Sequence, residues 1–484
     1  MKSLVQPKAL LIGREREQEE LQHALNAPGP QLIAVYGRRR VGKTHLIRTF
    51  FDSRIVLELV GASKTPTRQQ LKNFSQALLT RGHIVGVPES WSDAFLLMQQ
   101  YLQTKLATPG RCVVFLDELP WLASRKSGFL EAFSHFWNSW GTRQQNLIVV
   151  ICGSAASWMI RKVLQDRGGL HNRVTLKLQV LPFTLKETEA FLARSAPRLN
   201  RRLILELYMA LGGIPYYLNH VKAGLSAAQN IQAIVFDRSA PLVGEFDSLY
   251  ASLFEDHQRH LQVIRFLKHR QAGFTFKEIS EKTTLTAGGG LTRTLDELEQ
   301  AGFILRTPSF TGHNRGTAYK LIDPFTLFHL TWLEGNRRPL DAERWITLHS
   351  TPAWHAWSGY AFEMTCFQHL RQIKISLGIS GIQSESTSWR HDSAGPDDQG
   401  AQIDLLIDRR DRVVNLCEIK FTNDPFTVSA KYAKELRSKE AVFKNKTGTK
   451  KAIFITLISA QGLEQNSHSV GLVSNTVTAD ALFS

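Results

Sequence analysis

Hydrophobic positions along the chain follow two rhythms. The runs Leu32 to Tyr36, Val113 to Leu116 and Leu147 to Cys152 are continuously apolar, and each ends in glycine or an acidic residue. Strands buried on both faces of a parallel sheet read this way. From about Ser248 to Leu321 the pattern changes. HLQVIRFLKHRQAG reads as an amphipathic helix, TFKEISEKT as a short second one, and GGGLTRTLDELEQAG as a third, with Leu291, Leu295 and Leu298 at helical spacing. FILRTPSF and TAYKLID then flank TGHNRG, a polar loop between two strand-like runs. Three helices and a hairpin predict a winged helix-turn-helix. Farther on, TPAWHAWSGYAFEMTCFQHL predicts a helix, and QIDLLIDRRDRVVNLCEIKF predicts two strands joined by a polar turn.

At 484 residues the chain is too long for one core, and two to four domains are expected. The pattern is that of a multidomain α/β protein. No apolar run approaches the length of a membrane span, and the N-terminus MKSLVQPKALLIGRE lacks the long apolar core of a signal peptide. The expectation is a cytoplasmic protein with no membrane partner. Cys112, Cys152, Cys366 and Cys417 are scattered singly in apolar contexts, which suggests buried thiols and neither a disulfide framework nor a Cys-rich zinc site. Lys plus Arg number 59 against 43 Asp plus Glu, a formal charge of +16. A surplus of that size favours polyanionic partners, nucleic acid first, against the alternative of a basic solvated surface.

The strand before the glycine of QLIAVYGRRRVGKTHLIRTF, the loop Gly37-Arg38-Arg39-Arg40-Val41-Gly42-Lys43-Thr44 and a helix-like continuation fit GxxxxGK[ST] in the setting that gives it meaning, with the loop and His45 as the expected nucleotide-binding residues. Glycines let backbone N–H groups turn inward around phosphate oxygens, Lys43 reaches the β- and γ-phosphates, and the Thr44 hydroxyl ligates Mg2+. In RCVVFLDELPWL, Asp117 is the expected partner of that magnesium and Glu118 the base that polarises the attacking water, so Lys43 and Glu118 are the catalytic pair. Ser154, at the tip of the Leu147 run, either senses the γ-phosphate or caps a helix. Arg173 either stabilises phosphoryl-transfer charge, in cis or in trans, or forms a salt bridge.

LIGREREQEELQHAL, YGRRRVGKT, FLDELPWL, the strand ending in CGS, NRVTLKLQVLPFT and LGGIPYYL, in this order, resemble the archaeal-type ATPase family. This is a branch of the AAA-related P-loop proteins close to the STAND switch ATPases. The resemblance covers roughly residues 10 to 225. It implies ATP binding, slow or regulated hydrolysis coupled to domain rearrangement, the segment Ile12 to Glu15 near the adenine, and Gly212 to Pro215 bordering the nucleotide from a small helical lid.

In a DNA-reading winged helix the third helix enters the major groove and the hairpin touches the backbone, with Arg293, Arg306, His313 and Arg315 as candidate contacts. Asp296, Glu297 and Glu299 on the same helix would be repelled by phosphates, so a second role, as a packing lid on the ATPase domain, stands beside the first.

Glu418 and Lys420 share one strand face, Asp404 lies on the strand before, and Glu363 sits on the preceding helix. Charge in the middle of LCEIKF is not what a sheet core asks for. A helix Glu, a strand Asp and ExK form the PD-(D/E)xK nuclease arrangement: Asp404 and Glu418 could hold magnesium against a scissile phosphate, and Lys420 could orient or deprotonate water. An ion pair on a half-exposed strand is the plainer alternative. Archaeal-type ATPases often continue into a C-terminal domain thought to have this restriction-endonuclease-like fold, and the order of parts over roughly residues 340 to 484 resembles that. The family's PD proline is absent, since Ile403 precedes Asp404.

The expected domains are therefore 1–230, a P-loop ATPase with helical lid; 231–340, a winged helix; and 341–484, a nuclease-like α/β domain. The leading functional expectation is an ATP- and Mg2+-dependent protein acting on DNA, with other copies of itself as further partners. One alternative is a STAND-like switch whose C-terminal domain is a non-catalytic interaction module. Another is a nuclease that the ATPase domain holds inactive.

Overall fold

The computed structural model describes residues 11–165, 168–170, 172–285, 287–308, 310, 317–335, 344–349, 351–393, 395 and 398–484. His313 and Arg315 lie outside these residues. The chain forms two compact units, one running through Pro182 with Ser252–Phe254, the other made of Phe183–Ala251 and Glu255–Ser484.

The first unit is built on five strands: β1 (Gln31–Tyr36), β2 (Ile55–Val60), β3 (Cys112–Asp117), β4 (Leu147–Gly153) and β5 (Leu176–Gln179). They form one parallel sheet in the order β2-β3-β4-β1-β5. β3 and β4 are buried along their whole length, which is why their sequences are apolar without alternation. Helices Trp91–Leu106 and Phe129–Ser139 cover one face through a packed aromatic set of Trp91, Phe95, Phe129, Phe133 and Phe136. Ser90 and Asp93 close a reciprocal capping box that fixes where the first of these helices begins. The loops that leave β1, β3 and β4 gather at the carboxyl edge of the sheet, where open α/β sheets bind ligands.

The second unit begins with helices Leu185–Ser195 and Arg201–Leu211. Helices His257–Leu267, Phe276–Lys282 and Gly289–Gln300 follow, with a small antiparallel sheet of β6 (Phe274–Thr275), β7 (Ile304–Thr307) and β8 (Ala318–Leu321) in the order β6-β8-β7. Leu291, Leu295 and Leu298 are fully buried, as their spacing predicts. The C-terminal part carries β9 (Ser384–His391), β10 (Ala401–Arg409), β11 (Val413–Lys420), β12 (Phe426–Thr427), β13 (Ala452–Ser459), β14 (Leu463–Glu464) and β15 (Asn475–Thr478). Five of these form a mixed sheet in the order β15-β13-β11-β10-β9, antiparallel from β9 to β11 and parallel from β11 to β15.

Within the second unit, side chains tie the helical segment and the three-helix module to the C-terminal part. His369 accepts the Leu185 N–H (3.0 Å), and Arg202 donates to the Thr422 carbonyl and to Asn423 (2.8 Å each). Lys320 of β8 pairs with Glu363 (2.9 Å). No helix among the described residues is long and apolar enough to cross a membrane.

Candidate functional site

The loop after β1 is shaped by close backbone approach. Gly37 has φ +151°, and a Cβ there would lie 2.2 Å from the Val180 carbonyl oxygen, so only glycine fits. Arg40 and Gly42 are left-handed, turning the loop into the helix Lys43–Phe51. Val41 is fully buried, Arg38 is buried, and Arg39 and His45 are exposed. The sequence reading missed the work of Arg14, whose guanidinium donates to the carbonyls of Val41 (2.9 Å) and Leu181 (2.6 Å) and so clamps the loop from outside.

Lys43 is almost completely buried and donates to the carbonyls of Gly37 (3.0 Å) and Arg38 (2.8 Å). Burial lowers its pKa from the ordinary value, while Cys152, Glu118 and Asp117 act to raise it. The Thr44 hydroxyl donates to Asp117 Oδ2 (2.7 Å), and Asp117 Oδ1 accepts the Glu118 N–H (2.9 Å). Glu118 itself is left-handed at φ +50°, and a Cβ on Gly61 would come within 2.5 Å of its carbonyl oxygen. Its carboxylate accepts from the Ser154 hydroxyl (2.8 Å). Lys43, Thr44, Asp117, Glu118 and Ser154 thus converge at one edge of the sheet. Hydroxyl and carboxylate oxygens at Thr44 and Asp117 form the hard donor set that suits magnesium. Arg173 stands exposed in the turn before β5, and none of its contacts among the described residues is an ion pair.

On the helix Gly289–Gln300, Arg293 pairs with Glu297, and Arg306 of β7 pairs with that helix's Asp296 and Glu299. Of the residues considered for DNA contact, Arg293 and Arg306 are therefore engaged with the helix's own acids.

The C-terminal candidates also converge. Asp404 lies where the β9–β10 register shifts, between Ile403 and Leu406, and its Oδ2 accepts the Ile419 N–H (2.9 Å). Glu418 is buried, with Lys420 3.6 Å away. Two residues that sequence reasoning missed hold Glu418: Lys439 donates to both carboxylate oxygens (2.9 and 2.8 Å) and the Tyr432 hydroxyl to one (2.9 Å). Glu363 projects from the helix Pro352–Gln368 and pairs with Lys320. Burial raises the pKa of Glu363 and of Glu418; Lys320 opposes it at Glu363, Asp404 reinforces it at both, and Lys439 opposes it at Glu418. With Glu418 and Glu363 bonded to ammonium groups, this arrangement does not fit a magnesium ion. No group of three His, Cys, Asp or Glu placed to hold a metal occurs among the described residues.

A phosphate cradle on a parallel sheet, with acids at the tip of the neighbouring strand, defines a P-loop ATPase. Residues 11–221 match the family model of an ATPase domain predominantly from Archaea, and this segment is an archaeal-type ATPase domain. The chain is similar to the uncharacterized protein MJECL04 of Methanocaldococcus jannaschii, 23% identical over 85% of this chain and 88% of that protein. A shorter stretch is 42% identical to the uncharacterized ATP-binding protein MJ0423 of the same organism, over 9% of this chain and 76% of that protein. Among solved structures it is similar to the Walker-type ATPase PABY2304 of Pyrococcus abyssi, 19% identical with a TM-score of 0.49, over 67% of this chain and 98% of that one.

Proposed function

We propose that this ATPase couples nucleotide turnover to action on DNA through a winged helix and a nuclease-like C-terminal domain. In this reading Lys43 and the loop N–H groups bind the phosphates, Thr44 and Asp117 hold Mg2+, and Glu118 takes the proton of the attacking water. An Mg2+ held by these oxygens would supply neutralisation of phosphate charge. Ser154 positions Glu118. Arg173 reaches a neighbouring copy, where its charge stabilises the transferring phosphoryl group. The three helices and the β6-β8-β7 sheet form the winged helix, and residues 341–484 form the domain that meets the polyanion.

One observation carries the C-terminal part of this reading: Asp404, Glu418 and Lys420 gather on two adjacent strands, with Glu418 buried. The test is cleavage of supercoiled and linear DNA by the purified protein with Mg2+ or Mn2+, with and without ATP, against Asp404→Ala. Cleavage that the variant loses supports the nuclease; cleavage retained by it removes Asp404 from the site. A second reading, a nucleotide-dependent switch with a non-catalytic C-terminal module, is favoured by the ammonium partners of Glu418 and Glu363. It predicts no cleavage by folded protein that still hydrolyses ATP.

A further inference from the structure

The cations of the C-terminal part are unevenly placed. From Ala430 to Lys451 there are eight Lys and Arg and two Glu, whereas the rest of residues 351–484 holds seven Lys and Arg against twelve Asp and Glu. Three of the eight are engaged within the fold: Lys439 pairs with Glu418 and Glu435, Lys446 with Asp398, and Lys451 with Asp408. Four others, Lys431, Lys434, Arg437 and Lys444, project from the helix Ala430–Thr447 into solvent and form no ion pair among the described residues. The opposite face of this helix is turned inward. Ala433, Leu436 and Phe443 are buried, Phe443 against Ile403, Leu406, Val414 and Leu416 of the sheet, and Tyr432 and Lys439 hold Glu418. At the helical repeat the outward arc therefore carries the four cations, with Ser438 and Ala441 between them and no acid; Glu435 and Glu440 fall on its flanks.

Local stability does not ask for this arrangement. Lys431 stands in the first turn, where the helix dipole is positive and no acid accompanies it. Lys431, Lys434 and Arg437 follow at three-residue steps, which sets like charges side by side. Of the four, only Lys444, in the last turn, gains from the dipole. A bound polyanion offsets the repulsion, and the form of the patch selects which one. Lys431 to Lys444 spans about 20 Å along the axis. That is too long for a single phosphate group and suits a strand with a phosphate every 3.4 Å or so, about the rise of duplex DNA. The outward arc lacks the large apolar side chains that a helix lying in a membrane surface buries, and it lacks the aromatic rings on which unpaired bases stack. A convex row of cations separated by small residues meets the sugar-phosphate backbone of a duplex.

We propose that the outer face of the helix Ala430–Thr447 is the surface on which this protein holds duplex DNA, through Lys431, Lys434, Arg437 and Lys444 and without regard to base sequence. The proposal rests on the reading of the chain as one that acts on DNA. It moves the backbone contact away from Arg293 and Arg306, which acids already engage, to four cations that no acid holds. It also sets the duplex on the helix whose inner face keeps Tyr432 and Lys439 against Glu418.

The test is fluorescence anisotropy of a labelled random-sequence DNA duplex titrated with this chain at salt between about 50 and 200 mM. Each phosphate contact adds about 0.9 to the slope of log affinity against log salt. Neutralising all four cations, as Lys431→Gln, Lys434→Gln, Arg437→Gln and Lys444→Gln together, is expected to lower that slope by about 3 to 4 and to weaken binding roughly tenfold or more. A control removes equal charge elsewhere on the second unit through Lys186→Gln, Arg194→Gln, Arg198→Gln and Lys222→Gln, exposed side chains with no ion pair among the described residues. Its slope is expected to stay within about 1 of the parent's. A helix variant that melts as the parent does and binds with the parental slope and affinity would overturn the proposal and leave the DNA reading standing, and so would a control that loses as much as the helix variant. A parent that binds no duplex overturns both. If the fourfold variant does not fold, Lys434→Gln and Arg437→Gln singly take its place, each expected to lower the slope by about 1, with the same outcomes.

Discussion

Replacing Glu118 by glutamine isolates the proposed base from the rest of the nucleotide site. The side chain keeps its size and its left-handed backbone, and its amide oxygen can still accept from the Ser154 hydroxyl that now sits 2.8 Å away. What changes is charge: one hydrogen bond to a carboxylate becomes a neutral one, a loss of about 1 kcal/mol of stability. Asp117, Thr44 and Lys43 are untouched, so ATP affinity should stay within about threefold of the parent. Removing a general base costs roughly 10²–10⁴ in rate, or about 3–5 kcal/mol in the barrier. The assay is steady-state phosphate release beside equilibrium titration of a fluorescent ATP analogue. Turnover by Glu118→Gln within a few-fold of the parent, at unchanged affinity, would refute the assignment and leave Glu118 as a partner for Ser154 alone.

Other consequences follow from backbone contact and from buried histidine. A Cβ at Gly213 would lie 1.9 Å from the Phe183 carbonyl oxygen, so Gly213→Ala should lower stability by about 3 kcal/mol, seen as a lower urea midpoint; an unchanged midpoint contradicts the close approach. His369 is held neutral by burial, its pKa lowered to about 4 from 6.5, and it accepts the Leu185 N–H through Nε2. Because its folded pKa lies below the unfolded one, its contribution is complete above about pH 6.5 and is lost as the pH falls toward 4. The loss approaches about 3 kcal/mol. Urea midpoints measured between pH 7.5 and 5 should fall less steeply for His369→Gln than for the parent, and equal slopes would contradict this. If Arg173 acts in trans, turnover per chain should rise with protein concentration in the parent and not in Arg173→Ala; a concentration-independent parent rate argues against it.

Elements whose sequence carries one physical requirement were legible. β3 and β4 are apolar because both faces are covered, and the P-loop declares itself through Gly37, where a Cβ would strike the Val180 carbonyl, and Gly42, whose φ of +91° L side chains rarely adopt. The spacing of Leu291, Leu295 and Leu298 gave the third helix directly. Asp404, Glu418 and Lys420 were visible as charge within otherwise apolar strands. Their partners were hidden by sequence distance. Lys439 lies 21 residues from Glu418 and Lys320 43 from Glu363, and such pairings are set by packing that no local pattern encodes. A signal did exist: Tyr432 and Lys439 share the helix face of buried Leu436 and Phe443, and Lys320 interrupts the apolar run of TAYKLID. Each is a polar group on an apolar face, the same oddity that singled out Glu418. The ties of Leu185 and Arg202 were hidden for the same reason, since both meet residues far along the chain.

The central claim is that ATP turnover in this chain is coupled to nucleic acid. Phosphate release by this chain, measured over a titration of duplex DNA with Lys43→Ala as the blank, tests it most directly. The account predicts a rate that climbs severalfold and saturates with DNA in the parent, and none above background in the variant. A parental rate that is real, abolished by Lys43→Ala and indifferent to DNA would contradict the coupling and leave the chain an ATP-dependent switch.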